Sequence, residues 1–91
     1  MSKVETSLTI CNQKGLHARA AAAFVKCVTT FNSDVVVEKD GQEVDGCSIL
    51  SLMMLAASKG TVIKVSAEGE DAQEAIAAVS ALVNAKFGEE Q

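Results

Sequence analysis

The chain has one histidine, His17, and it stands in the run Gly15-Leu16-His17-Ala18-Arg19-Ala20-Ala21-Ala22. An imidazole at the mouth of an alanine-rich helix, with a guanidinium two residues on, can accept and hold a phosphoryl group. The first N–H groups of a helix have no partner inside it, and the macrodipole gives that end partial positive charge. Further positive charge on the ring is disfavoured there, so a neutral ring keeps a nitrogen lone pair for nucleophilic attack. Once attached, the phosphoryl anion meets those same N–H groups, and Arg19 adds charge-assisted hydrogen bonds. By position alone, a single histidine near a helix start is more often an ordinary cap or a surface residue. The other chemistries fit worse. No second histidine or close cysteine pair completes a ligand set, so no metal is expected. A Ser-His-Asp or Cys-His hydrolase needs a substrate cleft, for which 91 residues leave little room.

Ninety-one residues are expected to form a single domain, 1–91, with one core, and 48% hydrophobic content implies a compact globule. The net charge is −4, with no Trp or Tyr and only three Phe, which argues against nucleic acid and for partners with basic docking surfaces. Cys11, Cys27 and Cys47 show no CxxC spacing and read as small buried hydrophobes in a reducing compartment. The start, Met1 to Thr6, lacks the apolar run of a signal peptide, and no stretch approaches a membrane span. A soluble, cytoplasmic protein that does not engage membranes is the expectation.

The positioning elements follow from periodicity. Residues 3–10 alternate, with Val4, Thr6, Leu8 and Ile10 on one side, as in a half-buried strand. Asn12 to Gly15 make a loop. Ala21, Phe24, Val25, Val28 and Phe31 then recur at helical spacing, predicting an amphipathic helix from Ala18 to Phe31 opened by His17. Asp34 to Lys39 is a strand, Asp40-Gly41 a hairpin turn, and Gln42 to Val44 the returning strand. Ser48 caps a short helix that Lys59-Gly60 closes, and Thr61 to Ala67 is a fourth strand with Ile63, Val65 and Ala67 inward. Asp71 with Glu74 forms a capping-box-like start to a last helix, whose face is Ala75, Ile76, Val79, Leu82 and Val83, with Lys86 at its end and Gly88 beyond. The order βαββαβα predicts an α+β open-faced sandwich, an antiparallel sheet with helices on one face. That topology hosts many functions and decides none.

The Gly15-Leu16-His17-Ala18-Arg19 motif, the element order, Ser48 ahead of a short apolar helix and the chain length together resemble the HPr family. These are the histidine-containing phosphocarriers of the phosphoenolpyruvate-dependent phosphotransferase system. The segments Ser48 to Leu55 and Asn84 to Gly88 also look like the family's nitrogen-related branch. The resemblance covers essentially the whole chain and implies a four-stranded sheet, three helices and a phosphocarrier, not an enzyme.

It further implies a two-step relay without a cofactor: enzyme I passes a phosphoryl group to Nδ1 of His17, and the carrier passes it to an enzyme IIA, in sugar uptake or in nitrogen-related regulation. Arg19 would neutralise the phosphoryl oxygens, with backbone donors at Ala18 and Arg19. Ser48 matches a regulatory serine, the target of an HPr kinase/phosphorylase in some lineages; the simple reading is a helix cap. Phosphate there would suit the helix N-terminus and weaken binding to an acidic partner. Ile49, Leu50 and Met53 fall where family members present a docking patch, although an apolar stripe is more often core. Lys26, one or two turns beyond Arg19, is either solvated or set to meet a partner carboxylate. The family usually has proline where this chain has Ala20; alanine keeps the helix, frees one more N–H for phosphate and loosens the first turn by about 1 kcal/mol or less. Partner contacts are thus expected at Ala18, Ala20, Lys26, Ile49, Leu50 and Met53, on a monomer. One rival is a regulatory binding protein controlled by phosphorylation of Ser48, with His17 unused. The other is a small-ligand sensor, for which the chain lacks a polar cluster.

Overall fold

The computed structural model describes residues 3–91; the first two residues of the expected domain and start segment lie outside them. Four strands and three helices follow in the order β1 (Lys3–Thr9), α1 (Ala18–Val28), β2 (Asp34–Lys39), β3 (Gln42–Asp45), α2 (Ile49–Met54), β4 (Val62–Glu68) and α3 (Ala72–Asn84). The strands form one antiparallel sheet in the order β1-β4-β2-β3, so β4 and β2 pair at its centre and β1 and β3 are its edges. Period-2 alternation sends Leu8, Val35, Val37, Ile63, Val65 and Ala67 to the helix-covered side, where they meet Phe24 and Val28 of α1, Leu52 of α2 and Ile76, Val79 and Val83 of α3. These buried residues make one hydrophobic cluster, and the α+β open-faced sandwich is as expected.

Several boundaries differ for local reasons. Helix α1 stops at Val28, where the Thr29 and Thr30 hydroxyls donate back to the carbonyls of Lys26 and Cys27; Phe31 lies past the helix and is half-buried. Helix α2 ends five residues before Lys59, because Ala56 turns left-handed at φ 53° and Lys39 Nζ donates to the carbonyls of Leu55 and Ala56, at 2.9 and 3.4 Å. Lys59-Gly60 instead leads into β4, with the Gly60 N–H on the Ile10 carbonyl. The Asp71 side chain does not cap α3. Its oxygens accept from the Ser33 hydroxyl at 2.5 Å and the Asn32 N–H at 2.8 Å, tying the α1–β2 loop to the start of α3. Cys11 and Cys27 are half-buried, but Cys47 is exposed in the turn before α2, so it is not part of the core.

After α3 comes a single 3₁₀ turn, Lys86–Gly88, in which φ is 59°, 56° and 82°. Left-handed backbone at two successive non-glycine residues is uncommon. Here burial of the Phe87 ring in the core holds it, and the turn sends the last residues back across the sheet end toward the β1–α1 loop.

Candidate functional site

The site is assembled at the N-terminus of α1. His17 is the N-cap residue in extended conformation, its carbonyl accepting from Ala21 and its Nδ1 from the Arg19 N–H at 3.3 Å. A ring nitrogen that accepts a hydrogen bond carries its lone pair there. The other nitrogen, Nε2, faces Oε2 of Glu89 at 2.6 Å. A carboxylate accepts only, so the proton of the neutral ring is assigned to Nε2 and the free electron pair to Nδ1. Hydrogen bonds from Asn12 first and His17 second hold the Glu89 carboxyl below its ordinary range.

The loop ahead of the helix is locked from below. Gly15 has φ 70°, and a Cβ on it would lie 2.5 Å from the Ala57 carbonyl oxygen, so only glycine lets the two loops approach. The adjacent Leu16 N–H donates to that carbonyl at 2.8 Å. The loop that follows α2 is thereby tied to the backbone that presents His17. Asn12, wholly buried, spends its amide hydrogens on the Gly15 carbonyl at 2.8 Å and on Oε1 of Glu89 at 2.9 Å.

Arg19 is exposed and lines, with Gln13, Lys14 and the residues 89–91, a cleft of about 190 Å³. That is below the roughly 300 Å³ at which small-molecule sites begin, so the cleft beside Arg19 is too small for a typical metabolite site; a larger groove of about 450 Å³ lies against β2 and β3. Ala18 and Lys26 are exposed, as a partner contact requires. Ala20 is not: its side chain is fully buried because the third helical position faces the core, so it offers a partner no side-chain contact. Ser48 caps α2, its Oγ accepting from the Ser51 N–H at 3.2 Å. Leu52 and Leu55 go to the core, leaving Ile49, Leu50, Met53 and Met54 exposed as one apolar patch on α2. Met54, 65% exposed, belongs to that patch although the sequence pattern did not single it out. Glu89 and Asn12 were also missed. Glu89 lies 72 residues from His17 and 77 from Asn12, and no local periodicity signals either contact.

An open-faced α+β sandwich presenting a histidine and an arginine at the first turn of α1 defines a class of small phosphocarrier proteins. The chain matches the family model described as the PTS HPr component phosphorylation site over residues 4–85. It is 46% identical over 86 residues to the phosphocarrier protein HPr of Neisseria meningitidis, covering 94% of this chain and 97% of that protein. Among solved structures, HPr from Thermoanaerobacter tengcongensis superposes with a TM-score of 0.92 at 48% identity, covering 97% of this chain and 99% of that one. Crh, the catabolite-repression protein of Bacillus subtilis described as a dimer with a swapping domain, gives 0.75 at 45% identity, covering 94% of each chain. The chain belongs to the HPr family of the phosphotransferase system, whose members are phosphocarriers and not enzymes.

Proposed function

We propose that His17 takes a phosphoryl group on Nδ1 from phosphorylated enzyme I and gives it to an enzyme IIA. The observation that carries this reading is the ring's position as N-cap, with Nδ1 on the Arg19 N–H and Nε2 against a carboxylate. The 3.3 Å bond to Nδ1 is long and weak, so it yields readily to an incoming phosphorus. The released Arg19 N–H then donates to a phosphoryl oxygen, beside the unpaired first-turn N–H groups of Ala18 and Ala20. The Arg19 guanidinium neutralises the remaining charge. Ile49, Leu50 and Met53, with Met54, form the surface on which enzyme I and enzyme IIA dock in turn, and Lys26 engages a partner carboxylate.

Residues 1–91 act as one domain in the cytoplasm, as a monomer whose strands all pair within the chain; the single core cluster supports this. The test is incubation with phosphoenolpyruvate and a catalytic amount of enzyme I from the sugar or the nitrogen branch, read by phosphorus NMR and intact mass. One acid-labile phosphoryl group is expected, absent in His17→Ala, and the faster donor identifies the branch. A folded protein that takes no adduct from either donor would overturn the carrier reading. The second reading is a regulatory protein switched by an HPr kinase/phosphorylase at Ser48, with His17 unused. The likeness to Crh and the half-buried Ser48 at a helix start favour it, and that negative result would select it.

A further inference from the structure

The face of His17 turned away from the phosphoryl position is occupied by a fixed acid. Both oxygens of Glu89 are engaged, Oε2 by Nε2 of the ring at 2.6 Å and Oε1 by the Asn12 amide at 2.9 Å. The Glu89 side chain is only 14% exposed, and the Gln13 N–H donates to the Gln91 carbonyl at 2.6 Å, pinning the returning segment to the loop. The Asn12 amide has one permitted orientation. A flip would set Oδ1 against the Gly15 carbonyl and the carboxylate, two acceptors. Its Oδ1 has no partner among the described residues, so this buried side chain is held as a donor at the expense of its acceptor.

We infer that Asn12 and Glu89 are positioning residues that fix the ring proton on Nε2 and balance the charge the ring acquires when Nδ1 takes the phosphoryl group. This rests on the reading of His17 given above. In the transfer, the P–N bond of a phosphohistidine donor breaks and its electron pair stays with the donor's imidazole. The Nδ1 lone pair forms the new P–N bond, the proton remains on Nε2, and the ring becomes cationic against the carboxylate. In the onward step the P–Nδ1 electron pair returns to Nδ1 and the ring leaves neutral. The carboxylate favours retention of the Nε2 proton; a ring that lost it would have to leave as an imidazolate, a far poorer leaving group.

The pair makes a sharp test possible. In Glu89→Gln the Asn12 donor turns the new amide so that its oxygen faces Asn12 and its NH₂ faces Nε2. That favours the opposite tautomer. Imidazole nitrogen shifts of the unphosphorylated protein are expected to show Nε2–H in the wild type and Nδ1–H in Glu89→Gln. The double variant Asn12→Leu/Glu89→Gln frees the amide to rotate and is expected to restore Nε2–H. Phosphoryl transfer from enzyme I should fall roughly tenfold or more in Glu89→Gln, as for a triad histidine in the wrong tautomer. A Glu89→Gln ring that keeps its proton on Nε2, or an unchanged transfer rate, would overturn the inference. Failure of the wild type to be phosphorylated would overturn the His17 reading instead, and the tautomer measurement, which needs no donor, tells the two apart.

Discussion

At the scale of single residues, the proposed transfer would divide the work between His17 and Arg19 by geometry. The imidazole is a fixed cap with one nitrogen toward the helix and one toward an acid, whereas the guanidinium is exposed and would be free to follow the oxygens of an incoming phosphoryl group. Removing a preorganised donor from a developing anion commonly slows a reaction by about 10²–10³-fold. Arg19→Ala is therefore expected to slow phosphoryl transfer by roughly 10²-fold. Because the side chain is exposed, the urea midpoint should barely move, within about 0.5 kcal/mol. Stopped mixing with phosphorylated enzyme I, set beside a denaturation curve, checks both halves. The placement of His17 and Arg19 at the mouth of α1 was legible because helix starts are local: the glycine, the histidine and the arginine fall within five residues. Glu89 was not, since nothing near it in the sequence announces that a left-handed turn at Lys86 and Phe87 will send it back.

At the scale of elements, α2 carries two duties on six residues. Leu52 anchors it in the core while Ile49, Leu50, Met53 and Met54 stay outside, and so short a helix depends on its ends. Ser48 supplies the start and Lys39 the finish. Loss of an N-cap costs about 1 kcal/mol. Ser48→Ala should lower stability by about that amount, with faster amide exchange concentrated in α2, while His17 remains open to phosphorylation. Hydrogen exchange by NMR reads this directly. The apolar run 49–55 could be seen in the sequence as a helix too hydrophobic to bury whole, but its end could not. It is set by a lysine from β2, and Lys59-Gly60 resembled a stop signal because glycine serves turns and helix ends alike.

At the scale of the whole molecule, two carboxylates clamp distant segments together: Glu89 joins the chain end to the β1–α1 loop, and Asp71 joins α3 to the loop before β2. Hydrogen bonds hold both below their ordinary values of 4.5 and 3.8, the Asn12 amide first for Glu89 and the Ser33 hydroxyl first for Asp71. A carboxyl with a depressed folded value adds stability that is fully present above its unfolded value and is lost as the pH falls through the folded one. Stability should therefore decline below pH 4.5, and the decline should be shallower in the double variant Glu89→Gln/Asp71→Asn. Urea midpoints measured across that acid range would show it. Parallel curves for the two proteins would mean that neither carboxyl is linked to folding.

The sequence by itself determined the strands, the helices, their order and the histidine at a helix mouth. Those properties are written in alternation of period 2 or 3.6 and in caps a few residues long. Only the tertiary structure decided what faces the far side of that histidine. The Asn12 and Glu89 contacts join positions at opposite ends of the chain, and they form because the β1-β4 pairing and the packing of α3 bring those ends together. A local pattern records which face of an element is buried. It holds no record of which distant side chain will be waiting there.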